Sequence, residues 1–323
     1  MKPWKFAAAI CAIAALACAM LAGCQTQTYT PQPKEQIVSA SALGQDGTLR
    51  VGVNANSAPL AGSPQGSTQI IGIDVDVAAY LADQLGLKLQ VINVDNDPEA
   101  ALAAGTVDIV LGVDASVADA TYWRSEPYIG KGVALFGSVN ESAIPTPGDS
   151  SSSIAAQEGT WSEKRVIDLF GANALVRVDG LKTALENVSQ GTVRYGAGDI
   201  LAGTYLSDYP DYDVDVKALA LMQDPSGYCV AVSQSNTELW TAIEGALRTL
   251  KDGGMMDVIE TKWLGAPIDL NSMTVLKTGV DSSTATNNKP AAEPEGESES
   301  SEGDSGEGEG EGEGEGESSE GEE

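Results

Sequence analysis

Between residues 42 and 267, short apolar runs alternate with stretches in which apolar residues recur every three or four positions. The run Leu49-Arg50-Val51-Gly52-Val53-Asn54 predicts a strand, and Val77, Leu81 and Leu85 share one face of a helix. Asp74 or Asp76 is expected to cap that helix and Gly86 to close it. Leu87 to Asn93 predicts the next strand. Asp97-Pro98-Glu99 opens a short helix with proline at its first position, ending at Gly105. Thr106 to Gly112 predicts a third strand. After a Pro/Gly/Ser-rich break at Ile144 to Ser153 the alternation resumes. Ser153 to Gln157 predicts a strand, and Thr160-Trp161-Ser162-Glu163 has the spacing of a capping box, ahead of Val166, Ile167 and Phe170. Asp179 is expected to open a helix bearing Leu181, Leu185 and Val188, followed by a strand from Thr192 to Ala197. Tyr228 to Val232 predicts a strand, Asn236 begins a long helix with Leu239, Ile243, Leu247 and Leu250 on one face, and Met256, Ile259 and Trp263 mark a last helix. Such alternation predicts an α/β fold with a parallel or mixed sheet.

The two ends do not follow this pattern. Lys2 and Lys5 precede an uncharged run from Phe6 to Leu21, the length of a signal-peptide core and slightly short of the roughly 20 apolar residues of a membrane span. It ends in Leu21-Ala22-Gly23-Cys24, which resembles the lipobox of bacterial lipoproteins. Residues 1–23 are therefore expected to be a signal peptide and residues 24–41 a tether lipidated at Cys24; the alternative is an uncleaved anchor helix. Cys11 and Cys18 fall in the removed segment, so Cys229 would be left alone, as a core thiol with no intramolecular disulfide. At the other end, residues 280–323 lack apolar positions to bury and close in a Glu-Gly repeat, so a disordered acidic tail is expected.

Charge narrows the partners. The net charge is −29, and 15 acidic residues with no Lys or Arg lie in residues 290–323, which leaves −14 for residues 1–289. That acidity argues against nucleic acid, whose phosphates need a basic surface. The chain contains no His. His-dependent metal sites, Ser-His-Asp triads and Cys-His pairs are thereby excluded.

Ordered segments across about 220 residues resemble the extracellular solute-binding proteins of ABC transporters, family 3, which includes amino acid receptors. The segments are Gly47-Thr48-Leu49-Arg50-Val51-Gly52-Val53, Gly72-Ile73-Asp74-Val75-Asp76-Val77, Ala100 to Ile109, Ser125-Glu126-Pro127-Tyr128, Gln157-Glu158-Gly159-Thr160, Gly191 to Asp199, Asp252-Gly253-Gly254-Met255 and Lys262-Trp263-Leu264-Gly265. The resemblance implies a two-lobed periplasmic-binding-protein-like fold of type II, with the lobes joined by two hinge strands. Lobe one would take residues 42–135 and 231–267, and lobe two residues 136–230. It implies a monomer without cofactor or metal, held by its lipid at the extracellular face of the cell membrane or in the periplasm. Such a protein captures a small polar solute by cleft closure and passes it to the permease and ATPase subunits of an ABC transporter.

Within that frame, Thr160 would cap a helix whose free N–H groups face the cleft, where they can bind a carboxylate; Gly159 lets a ligand approach and Trp161 offers an aromatic face. Asp199, at the end of a strand, would receive a ligand ammonium or merely cap the next helix. In lobe one, Gly112, Val113, Asp114 and Ser116 follow the third strand and are implied ligand contacts, with a solvated turn as the alternative for Asp114. The family's Thr-x-x-Arg, whose guanidinium clamps a ligand carboxylate, is absent: Ser116 to Thr121 contains no Arg, and Arg124 is the nearest candidate. Its cleft aromatics are also missing, with Ala58, Leu60 and Ile73 in their places. Two other readings stay open, a non-transporting surface or sensory module and an enzyme on the same scaffold. No paired-carboxylate motif stands out for the acid–base work an enzyme would need.

The lipobox generates the first prediction. Cys24→Ala should release the mature chain from membranes or leave the precursor uncut. A variant still processed at the same place and still membrane-bound would contradict a lipid anchor at this residue.

Overall fold

The computed structural model describes residues 34–278 other than residue 210. The signal segment, Cys24 and the acidic tail from residue 280 lie outside the described residues.

Strand β1 (Thr48–Val53) is buried along almost its whole length, as a strand covered on both faces must be. It pairs in parallel with β4 (Lys88–Asn93) and β5 (Ile109–Asp114). Between β1 and β4 lie the short hairpin β2 (Asn56–Ser57) and β3 (Ala61–Gly62), and then helix α1 (Ile73–Gln84). Helix α2 (Pro98–Ala103) joins β4 to β5, with the Asp97 side chain accepting from the Ala100 N–H. The short β6 (Tyr122–Arg124) and β7 (Ile129–Lys131) both run antiparallel to β13 (Ser226–Ser233), which completes the first sheet beside β5.

The second sheet has the order β10-β9-β11-β8-β12. Its strands are β8 (Val133–Ser138), β9 (Ile154–Gln157), β10 (Leu175–Val178), β11 (Tyr195–Asp199) and β12 (Val216–Leu221). Helices α3 (Trp161–Phe170), α4 (Leu181–Ser189) and α5 (Ile200–Asp208) connect them. After β13, α6 (Thr237–Asp252) and α7 (Met255–Leu264) pack against α1. The chain thus leaves the first sheet at Lys131 and returns to it at Ser226, before the boundaries expected at 136 and 231.

Local expectations differ from the structure at several points. Neither Asp74 nor Asp76 caps α1. The carbonyls of Pro59 and Leu60 accept its first N–H groups, at Ile73 and Asp74, so a capping side chain is unnecessary. Gly72 makes this possible: its φ is +145°, and a Cβ there would lie 2.2 Å from the Leu60 oxygen. Asp74 is instead buried, and Asp76 accepts from Lys262 and from the Trp263 ring nitrogen at 2.6 and 2.7 Å. Gly180, not Asp179, stands at the N-cap of α4; the Asp179 carboxylate accepts from the Thr183 hydroxyl. Strand β5 begins at Ile109 rather than Thr106. Asp108 stays out of the strand pattern because its carboxylate gathers the N–H groups of Gly44 and Arg50 and the Arg50 guanidinium.

Cys229 is fully buried in β13 and its thiol is pushed up to about 11 by burial, as suits an inert core sulfur.

Candidate functional site

A cavity of about 630 Å³ lies between the two sheets. The first sheet and its loops contribute Asp114, Ser116, Lys131 and Ser226; the second contributes Val133, Gln157, Gly198, Asp199 and the start of α3. The carboxyl ends of the parallel strands β9 and β11 open onto it, where open α/β sheets place ligands. A neighbouring cavity of about 490 Å³ extends into the first sheet's side and shares Asp114 and Lys131 with it.

The α3 wall follows its capping box with one shift, the Glu163 side chain reaching the N–H of Gly159 and not that of the N-cap Thr160. The Thr160 hydroxyl accepts from the Glu163 N–H, and Glu163 reaches back to the Gly159 N–H at 2.6 Å. The N–H groups of Trp161 and Ser162 lead the helix with no acceptor in it, and both residues line the cavity. Trp161 is 55% exposed, and its ring nitrogen donates to Gln223 on the same wall at 2.5 Å.

Asp199 ends β11 and caps α5, accepting from the Ala202 N–H at 2.9 Å. Capping and cleft exposure therefore coincide in one carboxylate. Burial pushes its pKa up, while the Ala202 N–H, the charge of Lys131 and the Leu201 N–H act against that rise. Across the cavity Asp114 is more fully satisfied. One oxygen accepts from the N–H and hydroxyl of Ser116 at 2.9 and 2.7 Å, and the other is ion-paired with Lys131. Burial alone would raise its pKa, but Lys131 and the Ser116 bonds outweigh it and hold the carboxyl below its ordinary value.

Of the residues singled out from sequence, the structure gathers Asp114, Ser116, Thr160, Trp161 and Asp199 around the larger cavity. Gly112 and Val113 line the smaller one. The Gly112 N–H donates to the Tyr128 hydroxyl, and so is not free for a solute. Gly159 lines neither cavity; its N–H is consumed by Glu163. Arg124 also lines neither, because its guanidinium is tied to the carbonyls of Ala115 and Val117. Lys131, Gln157 and Gln223 were not anticipated. A lone charge inside Gly130-Lys131-Gly132, flanked by apolar runs, was the available signal for the first. Among the described residues no group of three Asp, Glu or Cys stands close enough to hold a metal ion.

The smaller cavity is floored by a buried carboxyl. Asp74 is 1% exposed and accepts from the Tyr128 hydroxyl at 2.5 Å. Burial pushes its pKa up to about 7 despite that bond. The unfolded chain releases this proton near 3.8, so the folded state binds more protons between about pH 4 and 7. Stability contributed by the protonated form is complete below pH 4 and is lost as pH rises toward 7. Asp74→Asn keeps the shape and an acceptor for Tyr128 but does not titrate. In urea melts across this window, the variant's stability relative to wild type should therefore rise with pH, by at most about 1.4 kcal/mol for each pH unit. A difference independent of pH would mean that Asp74 ionises normally.

A model of "Bacterial extracellular solute-binding proteins, family 3" matches residues 49–266. A "Probable amino-acid ABC transporter-binding protein" of Haemophilus influenzae is 26% identical over 225 residues, covering 68% of this chain and 86% of its own. The "L-cystine-binding protein TcyA" of Bacillus subtilis is 25% identical over 231 residues, covering 71% and 85%. Among solved structures, the unliganded, open L-cystine solute receptor of Neisseria gonorrhoeae superposes with a TM-score of 0.58 at 27% identity, covering 68% of this chain and 94% of the receptor.

Proposed function

This chain belongs to the bacterial extracellular solute-binding proteins of family 3, and we propose that it captures an amino acid or a closely related zwitterion for an ABC transporter. The observation that carries this reading is the cavity walled by both sheets, with a carboxylate at Asp199 and, at Trp161 and Ser162, first-turn N–H groups that have no acceptor within α3. A carboxylate suits an ammonium, and a helix N-terminus suits an anion. A solute bonded to both walls favours the closed arrangement by its extra contacts there, and so selects it.

The L-cystine binders among its relatives make an elongated amino acid a reasonable solute. In the full reading, Cys24 carries the lipid, the protein works as a monomer outside the cell membrane, and a permease with its ATPase takes the solute. In this reading the solute is released unchanged.

The test begins with a thermal-shift screen of the standard L-amino acids and L-cystine. The solute that raises the melting temperature most is then titrated by calorimetry into wild type and Asp199→Asn. Losing a charge-assisted bond costs about 1.5–3 kcal/mol, roughly ten- to more than a hundredfold in affinity. The variant's melting temperature without solute should change little, because Asn caps a helix about as well as Asp. Equal affinities would remove Asp199 from the site.

A further inference from the structure

We propose that Lys131 is the cleft's anion anchor, the residue that makes this protein select solutes carrying a carboxylate. The inference rests on the capture reading above and assigns it a specificity-determining side chain.

Among the described residues Lys131 is the one cationic side chain lining either cavity, and it belongs to both. The basic residues around it are committed elsewhere. Arg124 holds two loop carbonyls, Lys164 pairs with Asp168, Arg165 donates to the Met222 carbonyl and Arg177 pairs with Glu163.

The ammonium of Lys131 has three donors. Among the described residues one is used, by Asp114. The side chain is 27% exposed and lines both cavities. Its position is fixed from below: the backbone pairs with Ser226 in the first sheet, and the ammonium lies 5.4 Å from the centre of the Tyr228 ring. Asp114, for its part, is held by Ser116 and neutralised by Lys131. Among the described residues that leaves Asp199 as the carboxylate on the larger cavity's wall without an ion pair.

Charge is thus separated along the cleft. A solute's cationic group goes to Asp199, and its anionic group goes to Lys131 with the α3 N–H groups opposite. Closure would withdraw Lys131 from water, and its spare donors would go unmet unless an anion came with the solute. A carboxylate meets those donors with the strongest acceptor a solute can bring, and so favours closure as well as contact.

A lysine that merely neutralises Asp114 matters only while that carboxylate is charged, so Lys131→Met is also made together with Asp114→Asn: the anchor reading predicts that the preference for the acid stays lost there, and mere neutralisation predicts that it returns. The probes are the L-amino acid that raises the melting temperature most in the screen and its primary carboxamide, which keeps the ammonium and loses the negative charge. Both are titrated into wild type, Lys131→Met, Lys131→Gln and Lys131→Arg, each first shown folded by its melting curve. Wild type should prefer the acid by about ten- to a hundredfold. Lys131→Met and Lys131→Gln should bind acid and amide almost alike, and Lys131→Arg should restore most of the preference. Either neutral variant suffices if the other does not fold. If the neutral variants keep the preference, or lose acid and amide by the same factor, Lys131 is not the anchor while capture stands. If no amino acid binds wild type, the capture reading fails and the role of Lys131 falls with it.

Discussion

Everything at the cleft depends on one stretch of chain serving two sheets in succession. β7 ends at Lys131 and β8 begins at Val133, so Gly132 alone separates a strand of the first sheet from a strand of the second. Backbone groups on both sides are committed to their ladders, and an unpaired buried amide is costly, so movement between the sheets at this crossing is confined to the residue that links them. The Gly132 carbonyl accepts the first N–H of α5, at Ile200, and the Val133 carbonyl accepts from Met222. The crossing therefore sets the position of the helix that Asp199 caps, and of the segment that leads the chain back. A Cβ on Gly132 would lie 3.1 Å from a Leu221 methyl, which leaves little room for a larger residue.

Placing Lys131 at this crossing gives the cleft its polarity. The surface of the chain is strongly acidic, and a cleft with carboxylates alone would repel anions. One fixed ammonium between Asp114 and the open cavities changes that locally, without altering the net character of the protein. On the opposite wall the same task falls to backbone N–H groups, whose partial charge comes with no flexible side chain to order.

Much of this was legible in the sequence, and the exceptions share a cause. β1, β5 and β9 announce themselves as apolar runs, because parallel strands inside a sheet are covered on both faces, whereas the edge strand β4 alternates exposed and half-buried positions. β6 and β7 are three residues each, and their existence depends on pairing with β13 about a hundred residues away. No local pattern carries that information. β12 was missed for a related reason, since its pairing with β8 slips between Ala218 and Ala220. Asp74 looked like a cap because caps are judged from the side chain alone, whereas carbonyls from a preceding loop took its place. At the site, Thr160 and Asp199 were readable because each terminates an element with a recognisable cap. Lys131 was not, because its partner Asp114 lies seventeen residues earlier in a different strand.

The central claim, that a zwitterion is held between the two sheets with its charges separated, is tested most directly by a crystal structure of the protein grown with the amino acid that stabilises it most. The account predicts the solute in the larger cavity, its ammonium on Asp199 and its carboxylate on Lys131 and the N–H groups of Trp161 and Ser162. A solute bound outside that cavity, or lying with its carboxylate away from both Lys131 and α3, would contradict it.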